Sequence, residues 1–292
     1  MPMQALDRLR QRSVYVAAIF ATMVATTPPA RAAITVFEAA GADVAAITAT
    51  RDAFRVAIGG GTVAGANGSF GGIRREVNWD GVPDASADPN SLPGNFFNLT
   101  SPRGVVFSTP GTGFLVSANG GSANPILFGF PNDFQTFSPQ KLFTAVNSPI
   151  TDVNFFVPGT STAATTTAFG LIFVDVEVAN LTRIEFFDAT NALIFSRNAL
   201  VSGNQGLTFL GGVANAGERI SRVRITSGAN TIVSNGQLGN QVDDIVVMDD
   251  FIYAEPAAAA VPEPSTLTMF ALSALCLAGG NRFRRKQIAQ LP

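Results

Sequence analysis

The chain has 292 residues, 47% of them hydrophobic, with 19 Lys+Arg against 21 Asp+Glu, one cysteine and no histidine. Without histidine, Ser-His-Asp and Cys-His catalysis and His-ligated zinc are excluded, which leaves carboxylates, Lys141, Tyr253 and hydroxyls for any chemistry. The lone cysteine, Cys276, lies in an apolar run near the C-terminus, so the rest of the chain cannot rely on a disulfide and needs a packed core.

At the N-terminus, Arg8, Arg10 and Arg12 precede an apolar run from Val14 to Val24 and then Ala30-Arg31-Ala32. A positive segment, a short apolar segment and an Ala-x-Ala site in that order predict a secretory signal peptide over residues 1–32. A permanent N-terminal anchor is the alternative, and the shortness of the apolar run disfavours it. Four basic residues fall before Ala33 and four after Asn281, so 19 − 8 leaves 11; losing Asp7 and Glu263 leaves 21 − 2 = 19 acidic residues, a net charge near −8. That balance argues against nucleic acid as a partner and is compatible with binding a cation.

Residues 33–255 fit one domain. Val44, Ile47, Phe54 and Ile58 share one face of a short helix that Gly59-Gly60-Gly61 ends. The glycine-rich stretch that follows has no Gly-Lys-Ser/Thr and no strand before it, so it reads as a loop rather than a phosphate cradle. From Arg74 onward, short Val/Ile/Phe runs alternate with Gly, Pro, Asn and Asp. Ten strands are predicted, at 105–108, 114–117, 141–146, 152–157, 170–178, 183–188, 192–196, 207–211, 222–226 and 245–253. Ile184 to Phe195, turning at Asp188-Ala189-Thr190-Asn191, reads as a hairpin. No repeat of propeller or solenoid length recurs. The predicted fold is mainly β: a single antiparallel β-sandwich, jelly-roll-like, with one short N-terminal helix. Thr160 to Ala168 reads as a loop, and Ala257 to Ala260 as a tether.

Two interior sites stand out. The only tryptophan, Trp79, lies between Asn78 and Asp80 in a charged segment. It is either a platform that stacks on a sugar while Asn78 and Asp80 bond its hydroxyls, or a plug at one end of the sandwich. With 24 phenylalanines the aromatics are mostly packing residues, and Phe96-Phe97 and Phe155-Phe156 cannot both point inward on a strand. Carboxylates cluster at Asp243-Asp244 and Asp249-Asp250. Asp175 and Glu177 share a face of a predicted strand, as on many solvated sheets. The Asp249-Asp250 pair resembles the last strand of carbohydrate-binding jelly rolls that hold structural calcium, and Phe37-Glu38 resembles their early Phe-Glu. That resemblance implies a Ca²⁺ on Glu38 and Asp249, with Asp250 as an alternate ligand turned to the other face. The alternative is a solvated acidic strand end.

The C-terminus carries Pro262-Glu263-Pro264, an apolar run from Leu267 to Gly280, and Arg282, Arg284, Arg285 and Lys286. The apolar run is short for a stable span, and the basic cluster fixes its orientation. This arrangement resembles the bacterial PEP-CTERM sorting signal. The resemblance implies an exosortase-type processing enzyme and the secretion machinery as partners, and a transient hold on the inner membrane. It divides the C-terminus into a linker (256–266), a short transmembrane sorting helix (267–281) and a basic cytoplasmic tail (282–292). A simple membrane anchor is the alternative. Residues 74–84, 95–98, 101–107 and 248–253 resemble a group of extracellular PEP-CTERM proteins, and supply no catalytic residue to transfer. Two roles follow: a structural or adhesive protein of the extracellular matrix or biofilm without catalysis, or a carbohydrate-binding module, with exopolysaccharide as its ligand. A hydrolase is disfavoured because the sequence shows no carboxylate pair at catalytic spacing.

Overall fold

The computed structural model describes residues 33–118, 126–233, 237–238 and 243–258. The predicted signal peptide, Pro262-Glu263-Pro264, the sorting helix and the basic tail lie outside the described residues. In chain order the first strands are β1 (Ile34–Gly41), β2 (Ser69–Phe70), β3 (Arg74–Val77), β4 (Val105–Ser108), β5 (Gly113–Val116), β6 (Phe143–Val146), β7 (Ile150–Phe155) and β8 (Ala164–Thr165). They continue with β9 (Ala168–Val174), β10 (Arg183–Phe187), β11 (Leu193–Asn198), β12 (Leu207–Ala214) and β13 (Arg222–Thr226). The last are β14 (Ile232–Val233), β15 (Gln237–Leu238), β16 (Val247–Ala254) and β17 (Ala257–Ala258). Helix α1 (Val44–Ile58) follows β1, and the one-turn α2 (Phe96–Leu99) precedes β4.

One sheet runs β1-β12-β9-β16-β6-β14-β15, with β3 also on β16, β2 on β3 and β5 on β6. The second runs β11-β10-β13-β7-β4. Pairing is antiparallel apart from a single parallel contact between β14 and β6. Alternate residues of both sheets, such as Val153, Phe186 and Ile225 from one and Phe169, Leu171 and Phe251 from the other, fill the core between them. The fold is therefore the expected antiparallel sandwich. A second core lies on the outer face of the larger sheet, where α1 and residues 126–142 cover Ile172, Phe209 and Ile252.

Helix α1 forms as its sequence predicts: Asp43 caps it by accepting from the Ala46 N–H at 3.1 Å, and Gly59 ends it at φ 92°. Of the four apolar residues on its face, Ile47 and Phe54 are buried. Phe54 packs on Phe37 (ring centroids 5.5 Å) and Phe209 (5.3 Å). Beneath its ring are Gly170 and Gly211, paired across β9 and β12, where a Cβ on either would lie 2.9 Å from Phe54. Two glycines in mid-strand, otherwise a cost to a sheet, are the seat for a large side chain.

Several elements differ from the sequence expectations. Strand β1 was not among the predicted strands because both of its faces are covered, Ile34 and Val36 by the inter-sheet core and Phe37 and Ala39 by the outer one, which erases polar alternation. Phe96 and Phe97 both point inward because they sit on a helical turn, whereas Phe155 and Phe156 alternate as a strand requires. The predicted tether begins as structure: Ala257 and Ala258 pair with Thr165 and Ala164, so the ordered chain passes residue 255. The Thr/Ala loop supplies the partner strand. The hairpin is present, with Asp188 Oδ1 accepting from the N–H groups of Thr190 and Ala192.

Phe54→Ala is expected to lower the free energy of unfolding by about 3–5 kcal/mol, and Gly211→Ala by about 1–3 kcal/mol. Combined, they should cost less than their sum, because the new methyl occupies vacated space. Urea unfolding of the three variants checks this, and strict additivity would remove the seat from Gly211.

Candidate functional site

The two interior sites inferred from the sequence are one assembly. Trp79, just beyond β3 at φ 66°, is 1% exposed. It stacks on Phe143 (4.1 Å, 3°) and takes Phe97 and Phe251 edge-on at 5.4 and 5.1 Å. Its Nε1–H donates to the Asp249 carbonyl at 2.9 Å. A ring covered in this way cannot stack on a sugar, so of the two readings of Trp79 the ligand platform is set aside and the plug stands. Nor do its neighbours await a ligand together. Asn78 Nδ2 donates to Asp80 Oδ2 (2.9 Å), while Asp80 Oδ1 accepts from the N–H groups of Gln140 (2.7 Å) and Lys141 (3.2 Å). Burial raises the Asp80 carboxyl, and those two N–H groups oppose the rise.

Strand β16 departs from alternation where the chemistry is. Met248 pairs with Phe173 and Phe251 with Leu171, so Asp249 and Asp250 together oppose the single residue Ile172. This β-bulge turns both carboxyls to the outer side, onto Ser138. Asp249 Oδ2 accepts from the N–H groups of Phe137 (2.6 Å) and Ser138 (3.2 Å), and the Ser138 hydroxyl reaches Asp249 at 3.3 Å and Asp250 at 2.7 Å. Burial, and then the Asp250 charge beside it, lifts the Asp249 carboxyl well above the usual range. Burial also raises Asp250. Burial of two neighbouring carboxyls favours their protonated form, most strongly at Asp249, which has no exposure.

The expected calcium ligands do not meet. Glu38 lies on β1, with β12 and β9 between it and β16, a separation of about 14 Å at ordinary strand spacing. It also points to the inter-sheet side, opposite to Asp249, and is held by Arg197 through Nε at 2.8 Å. Asp250 is not turned away from Asp249, because the bulge cancels the alternation on which that expectation rested. Among the described residues, no group of three or more His, Cys, Asp or Glu is placed to hold a metal ion. Lys141 and Tyr253 are buried as well: Lys141 Nζ donates to the Val82 carbonyl at 2.5 Å, and the Tyr253 hydroxyl donates to the Arg103 carbonyl at 3.0 Å.

Above the acid pair is a cleft of about 440 Å³, walled by Arg51, Arg55, Asn78, Arg103, Ser138 and Asp250. The glycine-rich loop closes one side of it. Arg55 makes a two-pronged pair with Glu76 (2.9 and 2.5 Å), which also accepts from Arg74 Nε at 2.7 Å. The sequence named Asn78 and Asp250 but not the arginines. Arg51 and Arg55 could have been found from their i, i+4 spacing on α1, whereas Arg103 and Ser138 arrive from loops whose path no periodicity reveals.

A second cleft, of about 330 Å³, is acidic, walled by Asp133, Asp175, Glu177 and Asp243. Strand β9 ends at Val174 and Asp175 turns at φ 74°, so Asp175 and Glu177 share this cleft rather than a strand face. Burial, then the charges of Glu177, Asp244 and Asp133, push the Asp175 carboxyl up to about 7, against the bond it accepts from the Gln205 N–H.

Residues 260–286 match the PEP-CTERM protein-sorting motif. No curated relative matches the chain.

A carboxyl whose pKa rises on folding binds its proton more tightly in the folded state, so it removes stability as pH climbs from the unfolded value towards about 7. Asp175→Asn, which keeps an acceptor for Gln205 and tolerates positive φ, is expected to raise Tm at pH 8 and to leave it nearly unchanged at pH 4. Differential scanning fluorimetry of variant and parent across this range checks the sign, and a gain that grows towards low pH would contradict it.

Proposed function

We propose, from a sorting motif that implies an exported protein processed by an exosortase, that the β-sandwich domain works outside the cell as a structural or adhesive module without a catalytic step. The motif carries this reading, because it assigns the chain an address. It begins two residues after β17, the last described strand. The use made of the chemically able side chains supports the second half: Trp79, Lys141, Tyr253 and Asp249 are all buried in packing contacts or hydrogen bonds. Among the described residues no helix is long and apolar enough to cross a membrane. On this reading the hold on the inner membrane before processing falls to residues 267–281.

The test is complementation of a deletion strain. The parent chain is expected to appear at the surface in a shortened form and to restore matrix cohesion. A chain with Pro262, Glu263 and Pro264 replaced by alanine should keep its full length and fail to restore it. Normal processing and location of that variant would defeat the address, and unaltered cohesion in the deletion strain would defeat the structural role.

A further inference from the structure

The cleft above the acid pair departs in charge from the domain around it. Residues 33–255 hold 11 basic residues against 19 acidic ones, yet Arg51, Arg55, Arg74, Arg75 and Arg103 gather at this one corner. Some of these cations are spent locally. Arg75 is paired with Glu255 (Nε at 2.8 Å), and Arg51, Arg55 and Arg74 share two carboxylates, Asp52 and Glu76, which leaves three cations against two anions. Arg103 is held by neutral acceptors, the Glu76 carbonyl and Ser101 Oγ, with its guanidinium over the Phe97 ring.

Arg51 faces a carboxylate but leaves its Nε without an aligned acceptor. Its side chain is 13% exposed, its guanidinium lies 4.7 Å over the Phe137 ring, and its Nε is buried without a hydrogen-bond acceptor. Asp52 Oδ1 is 2.7 Å from that nitrogen, an ion pair without hydrogen-bond alignment. Burial and then the neighbouring Arg55 disfavour the Arg51 cation, Asp52 and Asp250 only partly offset them, and a further anion entering the cleft would add to that offset. A planar guanidinium matches a carboxylate two-pronged. Asn78, Ser138 and Asp250 add groups suited to hydroxyls, the half-buried Phe70 adds an apolar face, and the cleft volume lies within the range of small-ligand sites.

We propose that this cleft binds a carboxylate-bearing sugar unit, with its carboxylate on Arg51 and its hydroxyls on Asn78, Ser138 and Asp250. The acidic groups in the wall, Glu76 and Asp250, oppose ligands carrying a dense row of phosphates, whereas a singly charged, polyhydroxylated unit suits a single guanidinium. The inference concerns the exported domain itself and fails or stands independently of the sorting signal.

Isothermal titration calorimetry of the exported chain tests it, with trigalacturonate as probe, maltotriose as a neutral trisaccharide and inorganic phosphate as a bare anion. Trigalacturonate is expected to bind, more weakly as salt is raised, and maltotriose is not. Arg51→Gln should weaken binding about tenfold or more, the loss of a charged hydrogen-bonded contact. Arg51→Lys, which keeps the charge over Phe137 without the fork, should weaken it less. Arg197→Gln, remote from the cleft, should leave it unchanged. The inference is overturned by absent heat with trigalacturonate, by equal binding of maltotriose, by phosphate binding as tightly as the sugar, or by both Arg51 variants binding as the parent does.

Discussion

The bulge at Asp249-Asp250 holds together three parts of the chain that are distant in sequence. Its backbone carbonyl receives the Trp79 indole from beyond β3, and its carboxyls receive Phe137 and Ser138 from the loop before β6. One irregular step in β16 therefore serves both layers of the molecule. On the inter-sheet side it fixes the ring around which Phe97, Phe107, Phe143 and Phe251 pack. On the outer side it anchors the loop that helps close the second core. A regular strand would have sent one carboxyl into the aromatic core, where an unpaired acid is costly.

The outer layer rests on the same economy of shape. Gly170 and Gly211 give up their own side chains so that Phe54 of α1 can lie on the sheet, and α1 then carries Arg51 and Arg55 to the rim of the cleft. A helix seated by one ring and a loop fastened by two carboxyls together set the cleft's width. Its contents, a largely buried guanidinium above and a buried acid pair below, follow from where those two elements end.

Much of the fold was legible because its signals are local. The cap and stop of α1, the alternation of β10 and β13, and the Asp188 turn each depend on residues within one element. Strand β1 was hidden because burial on both faces leaves no polar alternation to read. The site was legible as residues but not as an arrangement. Trp79 and Asp249-Asp250 were conspicuous by rarity and charge, yet their contact spans 170 positions, and the bulge that reverses Asp250 has no signature in Met248-Asp249-Asp250-Phe251. The Glu38–Asp249 ligand pair fails on that geometry: the strand order places two strands between β1 and β16, and the bulge keeps Asp250 beside Asp249.

The central claim is that Asp249 is a neutral, hydrogen-bonded acid on which the assembly depends. The most direct measurement is urea unfolding at pH 7 of Asp249→Asn against Asp249→Ala. An amide can accept the Phe137 and Ser138 N–H groups much as a protonated carboxyl does, so the asparagine variant should stay close to the parent. The alanine variant leaves those donors unpaired and should lose about 2–5 kcal/mol. Equal loss in both variants would contradict the account, because it would mean that the negative charge, not the neutral acid, holds the loop.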